Sequence, residues 1–329
     1  MEKMKIARKI GVLSFGVFVA FGLMIALATA QEKYPSKPIS IIVGYPAGGS
    51  ADLCARPFAK ALEPILKQSV VVINKPGAGS AIAMEFVKNS PPDGYTLTLA
   101  MTGAIFGGYL RDVPFKFFED YVHLCQISTW VNGVITNPES RWKTLQDVVE
   151  FARKNPGKIK YGSWEVGAHG QLLMAAFGKL NGIDWVHVPF AGDTAIVSAC
   201  LGNHVDIGFG DISGFGPHVK AGRLRLLARV GEGCEEFTDV PYIDQLGYKF
   251  PSKFRGYVGV SAPKGIPAQV KDTLVDACRR AWLDPDFQKP LKARSIPPIY
   301  RDGDELNQVL KDLDSEALSV INQIGLKKK

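Results

Sequence analysis

Two glycine-rich segments of the chain have residue types and spacing that can bind an anion. Each follows a short apolar run and precedes an amphipathic stretch; they are Gly44–Asp52 (GYPAGGSAD) and Gly162–Gly170 (GSWEVGAHG). A strand, a glycine turn and a helix in succession leave the first N–H groups of the helix without intrahelical acceptors, and the helix dipole makes that end positive. Such helix starts bind anions. Two of them in one chain predict a ligand with two negative ends.

The residues of the first segment suit such a site. Gly48 and Gly49 let the backbone approach a ligand closely. Ser50 can cap the helix or donate its hydroxyl, and Asp52 can fix the turn by accepting backbone N–H bonds. The alternative is a strand-to-helix turn that uses glycine for packing alone. The presence of a second segment of the same design favours a ligand site.

The second segment carries larger side chains than the first. Ser163 is a possible hydrogen-bond donor, and Trp164 can either stack on a flat ligand or pack outward against the protein. Glu165 would repel an anion unless it points away or pairs with a ligand amine. For His169, packing at the helix start and contact with a ligand both stay open. Selectivity for an unusual ligand is therefore expected in this segment.

Motifs of several enzyme classes are absent from the sequence. The patterns G-x-S-x-G, H-E-x-x-H, G-x-x-x-x-G-K-[ST] and G-x-G-x-x-G do not occur. The five histidines show no spacing typical of a metal site, and no nucleophile–base pair is legible. We therefore predict no enzyme activity, no catalytic residue, no cofactor and no bound metal.

The cysteines do not define a motif. There are five, widely spaced and without a C-x-x-C pair, namely Cys54, Cys125, Cys200, Cys234 and Cys278. An exported protein can form a disulfide from such a set, with at least one thiol left over. Spacing alone does not give the pairing, and the alternative is burial of the cysteines as apolar residues.

Both ends of the chain are basic. A charged head over residues 2–9, an apolar run over 10–27 and the small residues Ala28-Thr29-Ala30 form the pattern of a secretory signal. We predict a signal peptide over residues 1–30, cleaved after Ala30; the alternative is a retained membrane anchor. Most of the net charge of +7 lies in this head and in the C-terminal lysines. The nearly neutral body argues against nucleic acid as a partner.

Short β-branched runs alternate with helical patterns over most of the chain, which predicts an α/β fold with largely parallel sheets. The predicted strands are 39–43, 69–74, 95–100, one at 160, 185–188, 205–209, 225–230 and 256–261. The predicted helices are 52–66, one ending at 87, 145–154, 168–180, 193–201, 217–221, 267–282 and 302–324, and an apolar run covers 120–136.

These elements group into two lobes. We predict that residues 31–135 and 251–329 form lobe 1 and that residues 136–250 form lobe 2, with crossings near 130–138 and 245–257. Ligands of open α/β sheets bind beyond the carboxyl ends of the strands. Two facing lobes would therefore bring the two glycine-rich segments to one cleft.

A series of ordered motifs resembles a known family. The motifs are YPSKPI (34–39), VGYPAGGSAD (43–52), NKPGAG (74–79), PDGYTL (92–97), VHVPF (186–190), GNHVD (202–206), PHVKAG (217–222) and APKGIP (262–267). They resemble the Bug-type, TctC-like receptors of tripartite tricarboxylate transporters, over nearly all of residues 31–329. The second segment departs from the family's usual small polar residues, and Tyr45 stands where the family often has Phe.

The resemblance implies a periplasmic solute-binding protein of the two-lobed type II (Venus flytrap) fold, each lobe a mixed, mostly parallel sheet flanked by helices. It implies a monomer that closes on a small organic acid and delivers it to membrane subunits of a tripartite tricarboxylate-type transporter. Together with the residue types above, it gives these candidate ligand-binding residues: Tyr45, Ala47, Gly48, Gly49, Ser50, Asp52, Thr102, Ser163, Trp164, Glu165, Gly167, His169 and Asp211.

Three questions stay open at this point. The ligand is a plain dicarboxylate, or an aromatic or amine-bearing carboxylate. The protein serves transport, or it uses the same fold to sense a ligand as the partner of a signalling receptor. A third class, a secreted hydrolase or isomerase, would use Asp211 or His169 as its catalytic group.

Overall fold

The computed structural model describes residues 34–110, 112–251 and 256–325. The chain divides into two units, Met1–Lys37 and Pro38–Lys329, of which the second holds the fold. In the first unit the described residues 34–37 form no helix or strand. The predicted signal peptide over residues 1–30 lies outside the described residues.

Strands and helices alternate along the second unit. The strands are β1 (Ile39–Val43), β2 (Val70–Asn74), β3 (Thr96–Met101), β4 (Tyr121–Ser128), β5 (Val131–Thr136), β6 (Lys160–Trp164), β7 (Val186–Phe190), β8 (Ile207–Asp211), β9 (Arg225–Gly231) and β10 (Val258–Pro263). The α-helices are α1 (Ser50–Leu66), α2 (Ala81–Lys88), α3 (Thr102–Leu110), α4 (Leu145–Lys154), α5 (His169–Leu180), α6 (Asp193–Leu201), α7 (Ile212–Lys220), α8 (Ala268–Trp282), α9 (Pro285–Lys292) and α10 (Gly303–Ile324).

The strands form two sheets of the same topology. Their orders are β2-β1-β3-β10-β4 and β7-β6-β8-β5-β9. In the first sheet only β10 runs against the other strands, and in the second only β5 does. The predicted α/β class, with two lobes that each hold a mixed, mostly parallel sheet, is confirmed.

The chain crosses between the sheets twice. It passes to the second sheet between Ser128 and Val131, and it returns between Gly231 and Val258. The predicted lobe boundary between residues 135 and 136 falls inside β5, which belongs to the second sheet. The run over 120–136 is therefore two strands, one in each sheet, separated by Thr129 and Trp130.

A continuous apolar core joins the two halves. Its buried members include Ile42 of β1, Phe106 of α3, Tyr161 of β6, Leu172 of α5 and Leu313 of α10. The long last helix, α10, packs against both α3 and α5. The hydroxyl of Tyr109 in α3 donates to Asp314 in α10 over 2.5 Å. The C-terminal helix therefore stabilises the junction beside both sheets.

The structure corrects several predicted elements. Helix α3 was not predicted because it is apolar and buried around most of its surface, so it lacks the polar–apolar alternation of an amphipathic helix. Helix α7 begins at Ile212, not at Pro217, because the side chain of Asp211 accepts the N–H of Ser213 and caps the helix there. Strand β8 accordingly extends to Asp211. Within the described ranges no helix is both long and apolar enough to cross a membrane.

Candidate ligand-binding site

The turn between β1 and α1 is built around Gly48. This glycine has a φ of +79°, which favours glycine, and an added Cβ there would meet nothing within 4 Å. Its N–H donates to a carboxylate oxygen of Asp52 over 2.9 Å. Gly49 follows as the N-cap, with extended backbone and no side-chain cap on α1. The predicted role of Asp52, fixing the turn by accepting a backbone N–H, is confirmed.

Asp52 also ties the turn to the neighbouring strand. Arg56 donates to one of its oxygens over 2.8 Å, and the amide of Asn74 donates to the other over 3.0 Å. Asn74, the last residue of β2, also donates to the carbonyl of Tyr45. Burial raises the pKa of Asp52, but the bonds from Arg56, Gly48 and Asn74 outweigh it and keep this pKa below its usual value. The carboxylate is thus charged, buried and engaged inside the protein.

The turn between β6 and α5 repeats this construction. Gly167 has a φ of +81°, and its N–H donates to the side-chain oxygen of Gln171 over 3.3 Å. Ala168, the N-cap of α5, has φ −76° and ψ 157°, close to the φ −75° and ψ 169° of Gly49, and it too leaves its helix without a side-chain cap. Gln171 therefore takes the position of Asp52.

The two turns can be aligned residue by residue. Gly49 N–H donates to the carbonyl of Pro46 over 3.3 Å, and Ala168 N–H donates to that of Glu165 over 3.0 Å. Tyr45 then corresponds to Trp164, and Ser50 corresponds to His169. Both turns place a small N-cap residue before an uncapped helix start, where backbone N–H groups can bind an anion.

Helix α3 lies beside both turns. A Cβ added at Gly103, in its first turn, would lie 3.0 Å from the hydroxyl of Tyr45. Further along, Phe106 meets the ring of His169 edge-on, with centroids 6.2 Å apart, and Leu110 lies against Gly167. The structure thus brings the predicted turns, one from each sheet, to the same helix.

Burial keeps His169 neutral at physiological pH. The ring of His169 is desolvated, and this burial lowers its pKa to about 4. Because the ring packs against Phe106 across the junction between the sheets, it adds an apolar wall at the start of α5.

Trp164 is held within the second sheet. A Cβ added at Gly170 would lie 2.9 Å from its ring, so the indole packs closely on the first turn of α5. Its side chain also hydrogen-bonds Asp193, at the start of α6. This packing corresponds to the alternative considered above for Trp164, although the side chain stays half-exposed.

Asp193, which is half-buried, and Asp211, which is buried, form an acidic pair at the carboxyl ends of β7 and β8. The N–H of Asp211 donates to Asp193 over 3.1 Å, and glycines at 210 and 214 leave the space that Asp193 fills. Burial, and then the charge of Asp211, raises the pKa of Asp193 to about 7. Burial raises the pKa of Asp211 to about 6. Both carboxyl groups therefore hold their protons more strongly than an exposed aspartate does.

Asp211 also lies near the first sheet. Burial and, more weakly, the charge of Asp211 raise the pKa of the Cys54 thiol in α1. Asp211, at the end of β8, is therefore close to α1, the helix that follows the first turn.

Two other predicted residues are engaged inside the protein. Thr102 is 2 % exposed, and its hydroxyl accepts the N–H of Tyr257 over 2.7 Å, which fastens α3 to the chain before β10. The hydroxyl of Ser163 is fully buried and lies 2.8 Å from Nε2 of His187 on β7. Thr102 thus positions α3, and Ser163 links β6 to β7.

Most of the remaining predicted residues are accessible. Ala47, Gly48 and Glu165 are exposed, and Tyr45, Gly49, Ser50 and Gly167 are half-buried. His169 is half-buried as a residue, but Nε2 of its ring is buried. Sequence reasoning missed Arg56, Asn74, Gln171, Phe106 and Asp193. For Gln171 there was a local signal in the sequence. It lies four residues after Gly167, just as Asp52 lies four residues after Gly48.

Comparison with known proteins gives consistent matches over most of the chain. The profile described as tripartite tricarboxylate transporter family receptor matches residues 54–326. The "UPF0065 protein in gbd 5'region" of Cupriavidus necator is 31% identical over 313 residues, covering 94% of each chain. Protein BugT of Bordetella pertussis is 28% identical over 95% of this chain and 97% of its own. The structure of the periplasmic binding protein BugD has a TM-score of 0.75 at 25% identity, and the match covers 90% of this chain and 100% of that one.

Proposed function

The chain belongs to the receptors of the tripartite tricarboxylate transporter family, and we propose that it captures a short-chain dicarboxylate between its two turns and delivers it to such a transporter. Members of this family are periplasmic solute-binding receptors and not enzymes. The proposal concerns the ligand, its site and the transporter that receives it.

The repeated turn is the observation that carries the proposal. Both helix starts lack a side-chain cap, and both are fixed by a side chain that accepts the N–H of a left-handed glycine. A carboxylate at each end of a ligand would complete each helix start and meet the positive end of its dipole. Closure around the ligand would exclude water and strengthen these hydrogen bonds.

The length of α3 between the turns supports a short ligand. Gly103 borders Tyr45, while Phe106 and Leu110 border the second turn, three and seven residues further on. At the rise of an α-helix these contacts are about 5–10 Å apart along the axis. A short-chain dicarboxylate fits such a spacing better than a tricarboxylate with bulky branches.

An amine-bearing dicarboxylate is the second candidate, favoured by one observation. Asp193 and Asp211 lie at the carboxyl ends of β7 and β8, the edge at which ligands of open α/β sheets bind. A ligand ammonium group would pair with this carboxyl pair, whereas a plain dicarboxylate would prefer the pair protonated. An aromatic acid is disfavoured because Trp164 already packs on Gly170 and bonds Asp193.

The proposal also covers the export of the receptor, its oligomeric state and the boundaries of its lobes. We expect export with cleavage after Ala30, a monomer, and lobes with boundaries close to 31–135, 136–250 and 251–329, the first moved so that β5 lies in lobe 2. The crossing at 129–130 and the described residues of the return crossing, 232–251 and 256–257, would act as the hinge. A role in ligand sensing would use the same site and differ only in the membrane partner.

A thermal-shift panel tests the ligand class. Succinate, glutarate, adipate, aspartate, glutamate, citrate, benzoate and acetate would each be added to the protein, and the midpoint of unfolding would be measured. We expect a concentration-dependent rise for one or more aliphatic dicarboxylates and none for acetate or benzoate. A rise for aspartate or glutamate alone selects the amine-bearing class, and a panel without any rise contradicts the proposal.

A further inference from the structure

Cys125 and Cys278 lie against each other in the first lobe. Cys125 is in the middle of β4 and Cys278 is near the end of α8, which packs on that strand. Both side chains are buried, with exposures of 0% and 1%, on two elements that pack together, and their thiols interact with each other. These residues are 153 positions apart in sequence, so the contact arises only from the fold.

The other three cysteines have different surroundings. The thiol of Cys54 lies near Ser128, that of Cys200 lies beside Gly208, and that of Cys234 donates to the carbonyl of Glu236 over 3.3 Å. All five are free thiols in this structure. Cys125 and Cys278 are thus the two cysteines whose thiols interact with each other.

We propose that Cys125 and Cys278 form a structural disulfide in the exported protein. Export rests on the family's periplasmic location and not on the identity of the ligand, so the two proposals fail separately. The oxidant is a disulfide-bonded thiol oxidoreductase or a small-molecule disulfide, since the periplasm supplies such donors. One cysteine thiolate attacks the donor's disulfide to give a mixed disulfide, and the second thiolate then displaces the donor.

The reaction balances in atoms and electrons. The two cysteines lose two protons and two electrons and gain one S–S bond, while the donor's S–S bond breaks and the donor takes up both electrons and both protons as two thiols. Burial raises the pKa of Cys125 well above its usual value, which disfavours the reactive thiolate once the protein is folded. The bond therefore forms before β4 and α8 are buried.

The position of the pair gives the bond a clear structural role. Residues 126–277 contain β5–β9, the whole of the second sheet, and both crossings between the sheets. The disulfide would close this loop of chain at its base in the first lobe. It restricts the unfolded chain without linking the two sheets, so it leaves their relative motion free.

Alkylation of the exported protein tests this inference. The full chain is expressed with its export signal, recovered from the periplasm, denatured without a reductant and treated with iodoacetamide. Of the five cysteines, three should be alkylated, and all five after reduction. A peptide containing Cys125 should be found linked to a peptide containing Cys278. Five labels without reduction, or a link between other cysteines, overturns the proposal.

Two variants and a refolding experiment complete the test. Cys278→Ser should take up four labels without reduction, whereas the matched control Cys200→Ser should take up two. Reduced wild-type protein refolded from denaturant with oxidised glutathione should form the 125–278 link at least tenfold faster than native reduced protein exposed to the same oxidant. Equal rates would contradict closure during folding, and a refolded chain that forms no link would contradict the disulfide itself.

Discussion

Asp52 and Gln171 occupy equivalent positions at the starts of α1 and α5, and each accepts the N–H of the glycine four residues earlier. The two sites differ in charge, because Asp52 also binds Arg56 and Asn74, whereas Gln171 is neutral. The first turn is therefore held by a charged network that is independent of the ligand. The second turn is held by neutral hydrogen bonds of Gln171, with Gly167 and Tyr161, and by packing.

This difference predicts unequal effects of substitution. Asp52→Asn keeps the size of the side chain but removes a charged acceptor, and we expect the free energy of unfolding to fall by about 2–3 kcal/mol. Gln171→Ala should lower it by about 1–2 kcal/mol, since only neutral hydrogen bonds are lost. Urea denaturation measures both values. An effect of Gln171→Ala larger than that of Asp52→Asn would contradict the assigned network.

The acidic pair predicts a dependence of stability on pH. The pKa of Asp193 is raised by burial and by Asp211 to about 7 in the folded protein, above its unfolded value near 3.8. Because the folded protein then holds its proton more strongly, stability is lost as the pH rises through this window. Asp193→Asn removes the titration. Its unfolding free energy relative to wild type should rise between pH 4 and pH 8, and a constant difference would contradict the raised pKa.

The lowered pKa of His169 predicts that stability depends on pH in the opposite direction at lower pH. Its pKa is lowered by burial to about 4, below the unfolded value of 6.5. The unfolded chain therefore binds a proton first, and stability falls as the pH falls from about 6.5 to about 4. His169→Gln should reduce this loss, with the exposed His204→Gln as the matched control. Burial also lowers the pKa of His123 to about 4. Because of this, part of the fall in stability with falling pH should remain in both variants.

The sequence was sufficient to predict the two glycine-rich turns and the hydrogen bond between Gly48 and Asp52 that supports the first of them. Gly48 and Asp52 are four residues apart, so local chemistry predicts their hydrogen bond. Other supports come from distant parts of the chain: Asn74 is 22 residues from Asp52, and Tyr257 is 155 residues from Thr102. Likewise, hydrophobic periodicity predicted the amphipathic helices but not α3, whose surroundings are apolar on most sides.

The roles of predicted polar residues depended on the same long-range contacts. Ser163 and Thr102 were among the candidate ligand-binding residues, yet His187 and Tyr257 engage their hydroxyls inside the protein. The pairing of Asp193 with Asp211 likewise requires neighbouring strand ends to meet. Sequence patterns give the order of such residues along the chain, while packing decides which side chains face a ligand.

The central claim is that the uncapped start of α5 binds a ligand carboxylate. Ala168 has N-cap backbone angles that suit aspartate, so Ala168→Asp should cap α5, leave the unliganded protein equally or more stable, and place a negative charge in the anion site. Ala168→Asn is the matched neutral control. Isothermal titration with the dicarboxylate that gives the largest thermal shift measures the affinity. We predict a loss of at least tenfold for Ala168→Asp and a smaller loss for Ala168→Asn; wild-type affinity in a stable Ala168→Asp protein would contradict the account.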